Sequence, residues 1–307
     1  ARLPEGGLTL PDFHPLWLAL FFGILFGLTL FPADQKRQWI KKLKPVLLIA
    51  LILAGLTIFV WTRVLSRSDE RLHLTLVDEE GTLLIQAPGG GVGLIGGGSS
   101  PSHLRQVLGE WLPPGRPLVD WVIVASPAQS DLNGLLGGIQ PGRVGEILWG
   151  GNPEANQTSR RVHSQFSDKG LSLVEMSSGQ TLDFGDGLRL VVLEKVEKGA
   201  VLWLEWEHFS ALLPAGKVGD AWLKIPHAPD VVLLPDDISV EDFPLEEVTA
   251  WSPTVILLPV HPSDLPMDGE HDLLSLLGAF PLLNSPAHGW VQVSTDGTQV
   301  WVTTEHR

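Results

Sequence analysis

The sequence predicts an acidic α/β domain carried behind a two-helix membrane hairpin. Three observations carry this reading: two uncharged apolar runs near the start, period-two alternation that begins at Leu72, and helical stretches interleaved with many short strands. The first run, Phe13 to Phe31, reads FHPLWLALFFGILFGLTLF. At about 1.5 Å per residue its length spans roughly 30 Å of hydrocarbon. The second, Pro45 to Trp61, reads PVLLIALILAGLTIFVW and is equally uncharged. Trp17, Trp39 and Trp61 fall where amphipathic rings settle at membrane interfaces. The first run has neither a basic leader nor a small-residue cleavage site, which speaks against a signal peptide.

The loop between the spans holds Lys36, Arg37, Lys41, Lys42 and Lys44, which marks it as cytoplasmic. Both ends of the hairpin then face outward, and the domain is expected outside the cytoplasm on an inner membrane. Arg63, Arg67 and Arg71 pull the other way and are offset in part by Asp69 and Glu70. The chain begins ARLPEGGLTLPDF without an initiator methionine, so the expectation is a piece of a longer protein.

Charge divides the chain at the same point. The whole chain carries −14; residues 1–71 hold nine basic and five acidic side chains, and residues 72–307 hold 12 basic and 30 acidic ones. A balance of −18 opposes a polyanion and argues against gripping nucleic acid through its phosphates. Absence of cysteine excludes disulfides and thiolate metal sites.

From Leu72 the elements run in order. LHLTLV and TLLIQA alternate apolar residues as half-buried strands do. PGGG at 88–91 is a turn, and VGLI follows as a strand. Residues 99–112 form the first helix, with Ser99 or Ser100 as cap and Pro113 as stop. Leu118 to Ala125 is apolar enough for a fully buried strand. Residues 131–139 are a short helix or turn, and 144–149 are a strand. Later strands are expected at 171–176, 188–194, 201–205, 231–234, 255–260, 290–294 and 300–303, and helices at 153–168, 244–251 and 270–278. TDG at 295–297 reads as the turn of the last hairpin. Many strands with interspersed helices indicate α/β layers.

Two patterns invite a cofactor or metal. Gly91, Gly93 and Gly96 form a GxGxxG match, but Val92 to Ile95 reads as strand, whereas a dinucleotide loop opens a helix. His261, Asp264, Asp268, His271 and Asp272 form the densest His/Asp cluster, in a stretch that Pro262, Pro266 and Gly269 mark as loop. The other histidines are scattered, and no Ser/His/Asp arrangement has nucleophile-elbow spacing.

Three stretches carry a resemblance. LLIQAPGGGVGLIGGG (83–98), VDWVIVASPAQSDLNGLLGGI (119–139) and LLNSPAHGWVQVSTDGTQVWV (282–302) resemble, in layout and turns, the C-terminal part of ComEC-type competence proteins. Those are inner-membrane DNA-uptake channels whose last membrane helices lead into a metallo-β-lactamase-like domain. The resemblance implies an αββα sandwich, with the lipid bilayer, single-stranded DNA in transit and other competence proteins as partners. It also exposes departures. The slot of Asp-Val-Gly-Gln-Gly-Asp reads LVDEEG at 76–81, and Leu-Ile-Asp-Gly-Gly becomes Leu94 to Gly98 with Gly96 in place of the Asp. The metal signature Ser-His-Pro-Asp-x-Asp-His-x-Gly-Gly-Leu falls on residues 125–135, where Ser126, Ala128, Ser130 and Asp131 stand at ligand positions and Pro127, Gly134 and Leu135 persist. Asp236 and Asp237 occupy the later His-His slot, and no Asp occurs in Leu213–Gly216, near which the family has its bridging Asp. A pair of metals needs several imidazole and carboxylate ligands. The expectation is a pseudoenzyme with no metal and no cofactor. Two other readings stay open: a hydrolase or nuclease with relocated ligands around His261 and His271, and a membrane-anchored module that binds a protein.

Overall fold

The computed structural model describes residues 50, 53–57, 70–112, 119–140, 143–235, 245–260, 267–268, 271–272, 277–278 and 280–306. The chain divides into two units, Ala1–Leu65 and Ser66–Arg307. The first predicted span lies outside the described residues, as does most of the second. Within the second, residues 53–57 are helical, Leu53 and Leu56 are exposed, and the Thr57 hydroxyl donates to the Leu53 carbonyl at 2.7 Å. Among the described residues no helix is long and apolar enough to cross a membrane.

The second unit is built on two sheets. Strands β1 (Leu72–Leu76), β2 (Leu83–Gln86) and β3 (Val92–Ile95) form an antiparallel meander. Helix α1 (Pro101–Trp111) crosses to β4 (Val119–Val124), which lies parallel to β3. Short helices α2 (Gln129–Leu132) and α3 (Leu135–Gly138) lead to β5 (Val144–Trp149), and α4 (Gln157–Ser167) leads to β6 (Ser172–Glu175). The second sheet opens with β7 (Thr181–Gly185), β8 (Leu188–Val196), β9 (Lys198–Trp206) and β10 (Phe209–Lys217), all antiparallel. A 3-10 turn (Gly219–Leu223) precedes β11 (Val231–Leu233), and α5 (Leu245–Trp251) precedes β12 (Val255–Leu258). Strands β13 (Met267–Asp268) and β14 (His271–Asp272) form a small hairpin. Strand β15 (Leu282–Asn284) closes the second sheet, helix α6 (Ser285–His288) follows, and β16 (Val291–Thr295) and β17 (Val300–Thr304) return to the first sheet. The sheet orders are β17-β16-β1-β2-β3-β4-β5-β6 and β15-β12-β11-β10-β9-β8-β7.

Side-chain parity sorts the apolar residues into three cores. Leu72, Leu74, Leu76, Leu83 and Ile85 from one sheet meet Leu190, Leu202, Leu204, Ala211 and Leu213 from the other between the sheets. On the outer face of the first sheet, Leu84, Leu94, Val122 and Ile147 pack under Leu104, Val107, Leu132, Val162 and Phe166 of the helices. On the outer face of the second, Val201, Trp203, Leu212 and Ile256 pack with Trp222, Val248 and Leu277. The layers are therefore αββα, each strand presenting alternate residues to the middle and to a helical coat.

Besides the β13–β14 hairpin, three strands and a helix escape the sequence reading, and one expected helix is corrected. TLDFG (β7) alternates, with Leu182 and Phe184 buried, but it is short and holds Asp and Gly. FSALLPAGK (β10) contains Pro214, which would break a central ladder. Here β10 pairs with β11 only at Ala211 and Leu212, and Ser210, of the same parity as Pro214, is the residue that bonds away from β9, to Asp230. Pro214 thus turns its missing N–H toward a side where the ladder has ended. Strand β15 is three residues long and α6 four, too short for periodicity to register. The helix expected at 270–278 is corrected: His271–Asp272 is strand, His271 pairs with Asp268 in hairpin register, and the sequence puts Gly at the first of the two positions between them. Leu277 is helical and buried and Gly278 is in a turn; residues 270 and 273–276 lie outside the described residues.

Candidate functional site

A cleft opens where the two sheets meet at the C-terminal ends of their parallel strands. Ile95 and Gly96 after β3, Val124 to Ser126 after β4, Leu213 to Gly216 of β10, Leu233 to Pro235 after β11 and Pro259 after β12 form its walls. Glu80 and Gly81 of the β1–β2 turn, with Asp131 and Leu132 of α2, complete it. The topology thus brings together Gly96, Ser126, Asp131 and the Leu213–Gly216 stretch, which lie far apart in sequence. The enclosed space is about 40 Å³, room for a few waters and no more.

The polar groups in the cleft are engaged by their own loops. Ser126 is 4% exposed and its Oγ accepts from the Ala128 N–H at 3.1 Å. Gly216, at φ +71°, lies against Ser126 so closely that a Cβ there would touch it at 3.0 Å. Ser130 Oγ donates to Asp131 Oδ1 at 2.8 Å. Gly96, at φ +76°, donates its N–H to the Ile123 carbonyl. Ala128, an expected ligand position, is exposed at the start of α2. Asp236, Asp237, His261 and Asp264 lie outside the described residues. The GxGxxG stretch is strand β3, as its apolar content implies; Gly93 faces the Phe184 ring with no room for a Cβ.

The loop that holds these residues is locked from behind. The Pro127 carbonyl accepts from Asn156 Nδ2 at 2.6 Å and from Ser159 Oγ at 3.3 Å, while Asn156 Oδ1 caps α4 through the Ser159 N–H at 2.8 Å. The Gly134 N–H donates to the Gly98 carbonyl at 2.6 Å. Leu135 fills the space behind Gly97, leaving none for a Cβ.

Beside the cleft lies a group the sequence reading did not single out. Asp78 is 8% exposed, and its Oδ1 accepts from the N–H groups of Thr82 at 2.8 Å and Glu80 at 3.2 Å. Burial pushes its carboxyl above the ordinary range, against the lowering effect of the bonds from Thr82. The legible signal was an Asp four residues before the Thr that opens a strand, the pattern of a side chain closing a turn.

Among the described residues, the donor set of the cleft does not suit a metal centre. Zinc takes three or four imidazole, thiolate or carboxylate ligands, and a two-metal site needs more. The cleft offers the carboxylates of Glu80 and Asp131, one engaged hydroxyl and apolar walls. Among the described residues no three His, Cys, Asp or Glu side chains are grouped to hold a metal.

No family model matches the chain, and no curated protein matches it. Solved structures do. The chain is similar to the metallo-β-lactamase fold protein YhfI from Bacillus subtilis, at 13% identity and TM-score 0.47 over 69% of this chain and 95% of that one. It is similar to CmlA, a diiron β-hydroxylase from Streptomyces venezuelae, at 15% identity and TM-score 0.45 over 72% of this chain, spanning about half (53%) of CmlA. It is also similar to the short form of human tRNase Z, at 11% identity and TM-score 0.38 over 58% of this chain and 82% of that one. The αββα layering is read from the sheets and cores of this chain itself.

Proposed function

We propose that this chain is the C-terminal part of a ComEC-like inner-membrane DNA-uptake channel, and that its αββα domain is a non-catalytic structural domain on the outer face. The observation that carries the second half is the cleft. Among the described residues its walls are mostly apolar, its hydroxyl is bonded within its own loop, and its two carboxylates are too few for two-metal hydrolysis. The first half rests on the resemblance in layout and turns. The exposed Leu53 and Leu56, beside a threonine whose hydroxyl is satisfied by its own helix, suit a helix surface in lipid. The surplus of acid in the domain keeps DNA off its surface and leaves the strand to the channel.

The test is uptake of transforming DNA by cells lacking this chain and by cells given back either the native protein or the Glu80→Ala, Asp131→Ala double variant. Uptake is expected to fall on deletion and to return equally with both. Uptake indifferent to deletion would remove the channel role. A metal-dependent nuclease activity in the purified protein that the double variant abolishes would overturn the non-catalytic reading.

A further inference from the structure

Among the strands of the first sheet, the apolar core under the helical coat draws on β2 to β6 and on none of β1, β16 and β17. Leu84 of β2 is buried under the helices; its cross-strand row continues through the buried Thr75 and half-buried Gln292 to the exposed Thr303, and the next row runs from Gln86 through His73 and the buried Ser294 to Trp301. What lies there is aromatic. Trp301 is half-buried, with the Arg71 guanidinium 4.2 Å over its ring. Trp290 meets Trp111 edge-on at 4.9 Å, both half-buried. Val302, in edge strand β17, is 39% exposed, but it pairs with Val293 and so lies on the opposite face, toward the space between the sheets.

We propose that this tryptophan-bearing corner, formed by β1, β16 and β17, rests on the headgroup layer of the bilayer. The proposal depends on the membrane hairpin of the proposed function. Partly exposed indole rings and an arginine stacked on one of them are the side chains that settle where an apolar body meets wet headgroups. Chain length adds a geometric reason. The second predicted span ends at Trp61 and β1 starts at Leu72, so ten residues join them. At 3.3–3.6 Å each, that link reaches at most roughly 35 Å, which ties β1, the strand beside β16, to the neighbourhood of the membrane. The link carries Arg63, Arg67 and Arg71, which favour phosphate headgroups although the domain at large is acidic.

The chain has no cysteine, so single labels can be placed without background. The full chain is reconstituted in phosphatidylcholine–phosphatidylglycerol nanodiscs carrying a headgroup quencher or, in parallel, an acyl-chain quencher. A fluorophore is attached in turn at Thr303→Cys, at Lys169→Cys after α4, and at Thr57→Cys in the predicted span. The headgroup quencher is expected to reduce the Thr303 signal several-fold more than the Lys169 signal, and the acyl-chain quencher to reduce the Thr57 signal. Quenching at Thr57 with equal signals at Thr303 and Lys169 overturns the docked corner and leaves the anchor standing. No quenching at Thr57 removes the anchor and the docked corner with it. A spin label at Thr303 that couples to its counterpart on another copy, without headgroup quenching, places a second copy on this face and also overturns the proposal.

Discussion

The amide of Gly134 donates to the carbonyl of Gly98 at 2.6 Å, joining the turn after α2 directly to the end of the strand that follows the glycine-rich hairpin. Gly134 has φ −63°, a helical backbone in which alanine is ordinarily preferred. A Gly→Ala change at such a position normally stabilises by about 0.4–1 kcal/mol. Here the added methyl would overlap the carbonyl oxygen of Gly97. Gly134→Ala is therefore expected to destabilise the domain by about 1–3 kcal/mol, as overpacking does. Thermal unfolding of the purified protein checks this, and an unchanged or raised Tm would show that the two loops are not locked.

The same lock bears on metals. Because the loop is held by Pro127, Asn156, Ser159 and Gly134 through protein–protein hydrogen bonds, no ion is needed to order it. The purified protein, dialysed against zinc or manganese and then freed of excess, is expected to retain less than one equivalent. A chelator is expected to leave its Tm unchanged, since only a ligand that binds the folded state shifts stability. Stoichiometric metal, or a Tm that falls with chelator, would place a site on side chains other than those of the cleft.

How far the sequence foretold this arrangement depends on the physical signal each part carried. Alternation at Leu72, Leu74 and Leu76 and the apolar run into Val124 named their strands, because one buried face fixes a period of two. Pro127, Gly134 and Leu135 are held by backbone geometry and close packing, which act independently of any chemistry at the site. Strand β10 was hidden by Pro214, whose tolerance depends on where the neighbouring ladder ends, a fact of tertiary structure. Of the residues that the resemblance singled out, Gly96, Ser126 and Asp131 do line one cleft. That Ser126 would be bonded to Ala128, and that Gly216 would press against it, depended on how β10 meets β4 across the layers.

Asp78 gives the domain a pH dependence of definite sign. Burial raises its carboxyl in the folded state above its value of 3.8 in a free chain, so the folded state binds its proton more tightly. Stability from this group is fullest below the unfolded value and falls as pH rises toward the folded value. Asp78→Asn keeps an oxygen for the Thr82 and Glu80 amides and removes the buried charge. That variant is expected to match or exceed the native protein in stability at neutral pH, with the gain shrinking as pH approaches 4. Asp78→Ala, which strands both amides, is expected to lose about 1–3 kcal/mol. Unfolding measured from pH 4 to 7.5 separates the two; a gain for Asp78→Asn that grows on acidification would reverse the argument.

Asp296 shifts the opposite way, and its environment is the opposite too. It is fully exposed in the turn between β16 and β17, where its Oδ1 accepts from the amides of Gln299 at 2.8 Å and Thr298 at 3.0 Å and from the Thr298 hydroxyl at 2.8 Å. These bonds favour the carboxylate and hold its carboxyl below the ordinary range, the Gln299 amide contributing most. The order they confer on the hairpin is present above the unfolded value of 3.8 and is lost as pH falls through the lower folded value. The carboxyl carbon of Asp296, followed by NMR, is expected to titrate below the other exposed aspartates. Amide exchange at Thr298 and Gln299 is expected to quicken over the same acid range, and to be fast at every pH in Asp296→Ala. A midpoint at or above the ordinary carboxylate value would mean that the turn is closed by its backbone alone, through the pairing of Thr295 with Val300. The edge strand that bears Trp301 would then owe nothing to this side chain.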